Sequence, residues 1–135
     1  MKVRRGVLDA IEAHARRDAP EECCGLLLGT AAGIVEAVPA RNIAAEPSRR
    51  YEIAPEDHFA AIRRCRSEGE RLAVVGGYHS HPRSAPVPSA TDLEQAFLEF
   101  VYVIAGPVDG SAPLELRAYL LRDGVLAPVT FSVSD

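Results

Sequence analysis

Cysteine is scarce and placed where it cannot form a framework: there are three, and Cys23 and Cys24 are adjacent. An odd count with a vicinal pair is not the disulfide pattern of a small secreted domain, so a reducing cytoplasm is the expected setting. Long apolar runs are missing too. No uninterrupted stretch approaches the roughly 18 residues that a membrane span requires. The first nineteen residues carry Arg4, Arg5, Asp9, Glu12, Arg16 and Arg17 where a signal peptide would be apolar. An excess of positive charge is also absent. With 19 acidic against 15 basic residues and a net charge of -4, the chain has no basic field to draw nucleic acid regardless of sequence. The 10 glycines and 10 prolines follow no period, which excludes collagen-like and low-complexity chains.

What is present is the composition of one globular domain, 135 residues with 47% hydrophobic and 25% charged. Val3, Val7, Leu8, Ile11 and Ala15 recur at helical spacing and predict an amphipathic helix that ends before Pro20. The apolar run Cys23 to Gly29 reads as a buried strand. It is followed across Ala32-Gly33 by a second strand over Ile34 to Val38. A loop from Pro39 to Arg50 leads to a short strand around Tyr51 to Ile53, and Pro55-Glu56-Asp57 opens a second helix. A strand from Leu72 to His81, an irregular Pro82 to Pro88, a short helix from Ser89 and a strand over Phe100 to Ala105 come next. The chain closes with an antiparallel pair, Leu114 to Leu121 and Val125 to Val133. The expected fold class is α/β, one domain over 1–135 with a largely antiparallel or mixed sheet.

The chemistry is concentrated in Tyr78-His79-Ser80-His81-Pro82 and, further on, Ser89 and Asp92. In a strand, alternate side chains leave the same face about 6.6 Å apart, so His79 and His81 can converge on one ion while Ser80 points away. Pro82 withdraws a ladder donor and puts both imidazoles at a strand end. Asp92 offers a third ligand, and two histidines plus a carboxylate with an open position is a recurrent catalytic zinc set. The same Ser89 to Asp92 segment also reads as a helix start, with Ser89 the N-cap and Asp92 at the third helical position. Glu21 and Glu22 precede the first buried strand. A metallohydrolase needs a carboxylate that accepts a proton without ligating the metal, and no other acid has as clear a position.

Glu22 three residues before Gly25, then His79-Ser80-His81-Pro82, then Ser89 and Asp92 with ten residues between His81 and Asp92, resembles the JAMM motif of the MPN-domain metallopeptidases. Pro20 to Gly29, Asn42, Tyr51-Glu52-Ile53 and Gly77-Tyr78 also resemble compact bacterial members. The resemblance implies that His79, His81 and Asp92 bind Zn²⁺, that Glu22 is the general acid/base and that Ser89 hydrogen-bonds the oxyanion. It implies the MPN fold, a curved mixed sheet flanked by helices and related to the cytidine deaminases. The implied activity is hydrolysis of a peptide or isopeptide bond at the C-terminal tail of a ubiquitin-like sulfur-carrier protein, after its Gly-Gly or at an attached cysteine. Such a tail would lie extended in a narrow groove. Strand alternation places Glu21 on the face opposite Glu22.

A catalytically silent MPN scaffold is the competing reading, and the complete set Glu22, His79, His81, Ser89 and Asp92 argues against it. A base deaminase is a third. It would need a glutamate where position 81 is histidine and a Cys-x-x-Cys pair that is lacking. His14 and His58 sit in helical patterns and are read as surface or boundary residues. Cys24 and Cys65 are read as core thiols, Cys23 has no assignment, and the Arg41, Arg49 and Arg50 loop is read as solvated.

Overall fold

The computed structural model describes residues 1–69 and 71–135. In chain order the elements are β1 (Lys2–Arg4), α1 (Arg5–Asp18), β2 (Cys24–Thr30), β3 (Gly33–Ala40), α2 (Pro55–Ser67) and β4 (Ala73–Ser80). They continue with α3 (Ala90–Glu94), β5 (Val101–Gly106), β6 (Glu115–Arg122), β7 (Val125–Val129) and β8 (Ser132–Ser134). Among the described residues, these eight strands make one sheet in the order β7-β6-β5-β4-β2-β3-β1-β8. It is mixed. β4 and β5, β1 and β3, and β1 and β8 run parallel, and the remaining neighbours are antiparallel. Register shifts at Leu28/Gly29 and at Leu27/Leu28 interrupt the β2 pairings and bend the sheet locally.

α1 lays Val7, Ile11 and Ala15 on one face, against Cys23, Leu27, Tyr78 and Val103. Ile11 is fully buried, so truncating it to alanine costs about 2–5 kcal/mol. α2 covers the other face with Ala61 and Cys65 over Leu26 and Leu28. Arg64 reaches from α2 to both carboxylate oxygens of Glu36 on β3, a bidentate pair of modest worth at this exposure. Gly25 is required by its neighbour: a methyl group at that position would overlap the ring of Tyr78, which crosses over it. Among the described residues no helix is long and apolar enough to cross a membrane.

Several expectations are corrected. Val3 lies in β1, and the helix begins at Arg5; a three-residue strand is too short to show an alternation of its own. The strand anticipated around Tyr51 to Ile53 is a single bridge between Ile53 and Asn42. The final strand is broken after Val129, and its last piece crosses to the far edge to pair with β1. His14 is buried, not superficial. Its Nδ1 is 2.8 Å from the Tyr78 hydroxyl and its Nε2 is 3.0 Å from Asp18. Its position beside Ile11 and Ala15 on the apolar stripe was the available signal. Cys23, Cys24 and Cys65 are free and buried. Burial pushes the Cys23 thiol up to about 11 and the Cys24 thiol up to about 12.

Candidate metal centre

β4 sits inside the sheet between β2 and β5, and its alternation divides adjacent side chains between the two faces. Tyr78 points into the core under α1, whereas His79 points away from it, 1% exposed. The ladder with β5 continues one residue past the strand, through His81 N–H to Ala105 O at 2.8 Å. Pro82 then ends it, and the chain leaves the sheet. His81 therefore follows His79 on the same side, just past the end of the strand.

The return segment brings the carboxylate. Ser89 caps α3, its Oγ accepting from Asp92 N–H at 3.0 Å, while Ser89 N–H donates to Asp92 Oδ2 at 2.8 Å. That carboxylate also faces both imidazoles: Oδ1 is 3.2 Å from His79 Nε2 and Oδ2 is 3.2 Å from His81 Nε2. The two Nε2 atoms are themselves 3.2 Å apart. The helix-cap reading of the Ser89 to Asp92 segment holds, and it leaves room for the ligand reading, because one oxygen of Asp92 serves the cap while the carboxylate as a whole faces the two imidazoles. The Ser89 hydroxyl accepts in the cap and keeps its own proton free to donate.

The donor set tests for a metal on geometry alone. Ligands bonded at about 2.0–2.1 Å to a tetrahedral ion lie about 3.3 Å from one another, close to the 3.2 Å between the two Nε2 atoms and between each Nε2 and its nearer Asp92 oxygen. Each residue offers one ligand atom, and all three residues are buried. Two imidazole nitrogens and a carboxylate thus converge, a donor set of the kind that would hold a cation. Although burial opposes its ionisation, hydrogen bonds from both imidazoles hold the Asp92 carboxyl well below the usual range. The outer nitrogen of His81, Nδ1, is 3.0 Å from Ala85 O, a contact that orients its ring.

Glu22 reaches the same place from β2. Cys24 pairs with His79, and the register carried two residues back sets Glu22 opposite His81. The junction is tied by Ser80, the residue between the two histidines. Its Oγ accepts from Cys23 N–H at 2.8 Å, and its N–H donates to Cys23 O. Glu22 is buried and Glu21 exposed, which favours Glu22 of the two, although both precede β2 and strand alternation does not set the difference. Burial raises the Glu22 carboxyl to about 7, with His81 lowering it and Asp92 raising it. Asn42 secures the backbone, donating to Glu22 O and Arg50 O at 3.0 Å each. The adjoining basic loop is largely self-neutralised: Arg41 pairs with Asp57 and Glu56, and Arg49 and Arg50 approach Glu46.

Beside the centre runs a groove of about 400 Å³, lined by Leu26, Tyr51, Gly76, Gly77, Phe97 and Tyr102, among others. Tyr51 stacks on His79 with ring centroids 4.3 Å apart and 21° between planes. No spacing in the sequence links these two residues.

The profile described as prokaryotic homologs of the JAB domain matches residues 4–121. The chain belongs to the prokaryotic JAB-domain family. Within it, the chain is 44% identical over 106 residues to a desampylase of Haloferax volcanii, covering 73% of this chain and 75% of that one. It is 34% identical over 122 residues to a probable TtuB-protein conjugate cleaving protease of Thermus thermophilus, covering 90% and 76%. The crystal structure of a JAB1/MPN domain protein from Archaeoglobus fulgidus superimposes with a TM-score of 0.64 at 24% identity, over 100% of both chains, and shows the shared fold. The expectation of a single JAB/MPN domain, a mixed sheet flanked by helices, is met.

Proposed function

We propose that this JAB-domain protein is a zinc peptidase or isopeptidase acting on the C-terminal tail of a ubiquitin-like sulfur-carrier protein or its adduct, and that residues 1–135 form its catalytic domain. The single observation that carries the metal assignment is the convergence of two imidazole nitrogens 3.2 Å apart on one carboxylate, with Asp92 Oδ1 3.2 Å from His79 Nε2 and Oδ2 3.2 Å from His81 Nε2. Relatives named for desampylation and for cleaving TtuB conjugates support a ubiquitin-like substrate. Three free cysteines fit work in a reducing cytoplasm.

His79 Nε2, His81 Nε2 and the Asp92 carboxylate would hold the ion. Zinc, when bound, supplies a Lewis acid that acidifies water and polarises a carbonyl. Glu22 accepts the proton of the attacking water and hands it to the departing amine. Its burial-raised affinity for protons suits a group that must both take and give one near neutral pH, and a dication nearby draws that affinity down. The Ser89 hydroxyl donates to the substrate oxygen as negative charge builds there. The groove at Tyr51, Gly76 and Gly77 accepts an extended tail, its wall kept low where Gly77, on the same face as His79, has no side chain.

The test is metal analysis combined with mass spectrometry of carrier fusions. About one zinc per chain, with release of the carrier at its terminal Gly-Gly that stops on chelation and returns with zinc, is the expected result. A folded chain that takes up no zinc and leaves every fusion intact would return the protein to the class of binding scaffolds.

A further inference from the structure

The two candidate imidazole ligands are not held in the same way. His81 has a hydrogen-bond partner on its outer nitrogen, Ala85 O. His79 has none: its Nδ1 is buried and, among the described residues, no donor or acceptor reaches it. A histidine that ligates a metal is ordinarily oriented through that second nitrogen. At His79 the orienting contact is a ring face. Tyr51 lies nearly parallel to the imidazole at 4.3 Å, a van der Waals stack that restrains the plane. The approach of Nε2 to Asp92 Oδ1 selects which edge of the ring points inward.

Tyr51 is able to do this because its own backbone is pinned on both sides by one side chain. Asn42 Nδ2 donates to Arg50 O, and Asn42 Oδ1 accepts from Glu52 N–H at 3.1 Å. A further bond, Ile43 N–H to Glu52 O, closes the turn. The same Asn42 amide holds Glu22 O. One loop side chain thus couples the base segment to the aromatic wall that rests on the first histidine.

We infer that Tyr51 is a positioning residue of the metal centre: its ring sets the plane of the His79 imidazole in place of the missing hydrogen bond, and so tunes metal affinity through His79 alone. The inference rests on the reading of His79, His81 and Asp92 as a zinc site. It assigns Tyr51 no contact with the metal and no proton transfer.

The experiment compares wild type with Tyr51→Phe and Tyr51→Ala. Zinc affinity is measured by competition with a chromophoric chelator, and the histidine ring resonances are recorded by long-range ¹H–¹⁵N correlation in zinc-free and zinc-loaded protein. Tyr51→Phe keeps the stacking face, so its zinc affinity stays within about 3-fold of wild type. Tyr51→Ala weakens zinc by about 10–100-fold, the size of effect expected when a ligand's outer support is removed. In Tyr51→Ala the His79 ring signals shift and broaden in both states, while those of His81, anchored to Ala85 O, do not. If circular dichroism shows Tyr51→Ala unfolded, Tyr51→Leu takes its place with the same expectations. Equal zinc affinity in wild type and the alanine or leucine variant overturns the inference and leaves the zinc site standing. So does equal disturbance of both imidazoles, which would mark a general loosening. Wild type without zinc affinity overturns the site itself.

Discussion

Buried histidines flank β4 on both faces, His14 of α1 against Tyr78 on one and His79 with His81 on the other, and the two groups are built to opposite ends. Under α1, both ring nitrogens of His14 are matched, one to the Tyr78 hydroxyl and one to Asp18. On the other face, the inner nitrogens of His79 and His81 point at each other and at one carboxylate, 3.2 Å apart, and the outer nitrogen of His79 is unmatched. The first cluster is complete as protein and holds a helix to a sheet. The second is a donor set that a cation would complete. Adjacent residues, Tyr78 and His79, serve the two purposes because strand alternation sends them to opposite sides.

The largest effects should fall on the incomplete cluster. His81→Ala is expected to lower bound zinc from about one per chain to none and to abolish turnover with the fold intact, as read by metal analysis and circular dichroism. Glu22→Gln comes next: zinc is retained while kcat falls about 10²–10⁴-fold in a fusion-cleavage assay, the range for a lost general acid/base. Ser89→Ala should lower kcat by about 10²-fold through loss of an oxyanion donor. It should also lower stability by about 1 kcal/mol through loss of the α3 cap, separable by denaturant titration.

The complete cluster should answer differently. Tyr78→Phe leaves His14 Nδ1 without a partner and is expected to lower stability by about 1–3 kcal/mol while zinc content and kcat stay within about 2-fold of wild type. The smallest effect concerns pH. Burial lowers the His14 pKa below its ordinary 6.5, although Asp18 opposes this. The unfolded chain therefore binds a proton at this position before the folded one does. Stability from His14 is complete above 6.5 and declines as pH falls below it. In His14→Gln, stability should vary less steeply with pH below 6.5 than in wild type, measured by urea titration.

The comparison also separates what could be read from residues in a line from what could not. The three candidate ligands stand out because strand alternation and a helix cap convert sequence spacing directly into position: His79 and His81 two apart before a proline, Ser89 and Asp92 three apart at a helix start. Glu22 was singled out as an acid just before the first buried strand and by its resemblance to the JAMM motif, and the structure buries it opposite His81. The contacts that hold these side chains in place were not legible. Tyr51 on His79, Asn42 on Glu22 and Ser80 on Cys23 join residues separated by 28, 20 and 57 positions, and no local period encodes such pairings. The short edge strands β1 and β8 escaped for a related reason. Three residues carry no usable alternation, and their pairing is decided by where Val129 releases the chain. His14 was a different case: its helical position beside Ile11 and Ala15 already marked it as buried.

The claim on which all of this depends is that His79, His81 and Asp92 share one zinc ion. Anomalous scattering at the zinc edge from crystals grown with stoichiometric zinc tests it directly. The account predicts one dominant peak within about 2.2 Å of His79 Nε2, His81 Nε2 and an Asp92 oxygen, with Glu22 outside bonding distance. A peak elsewhere on the chain, or none among these three side chains in a folded protein, would contradict it.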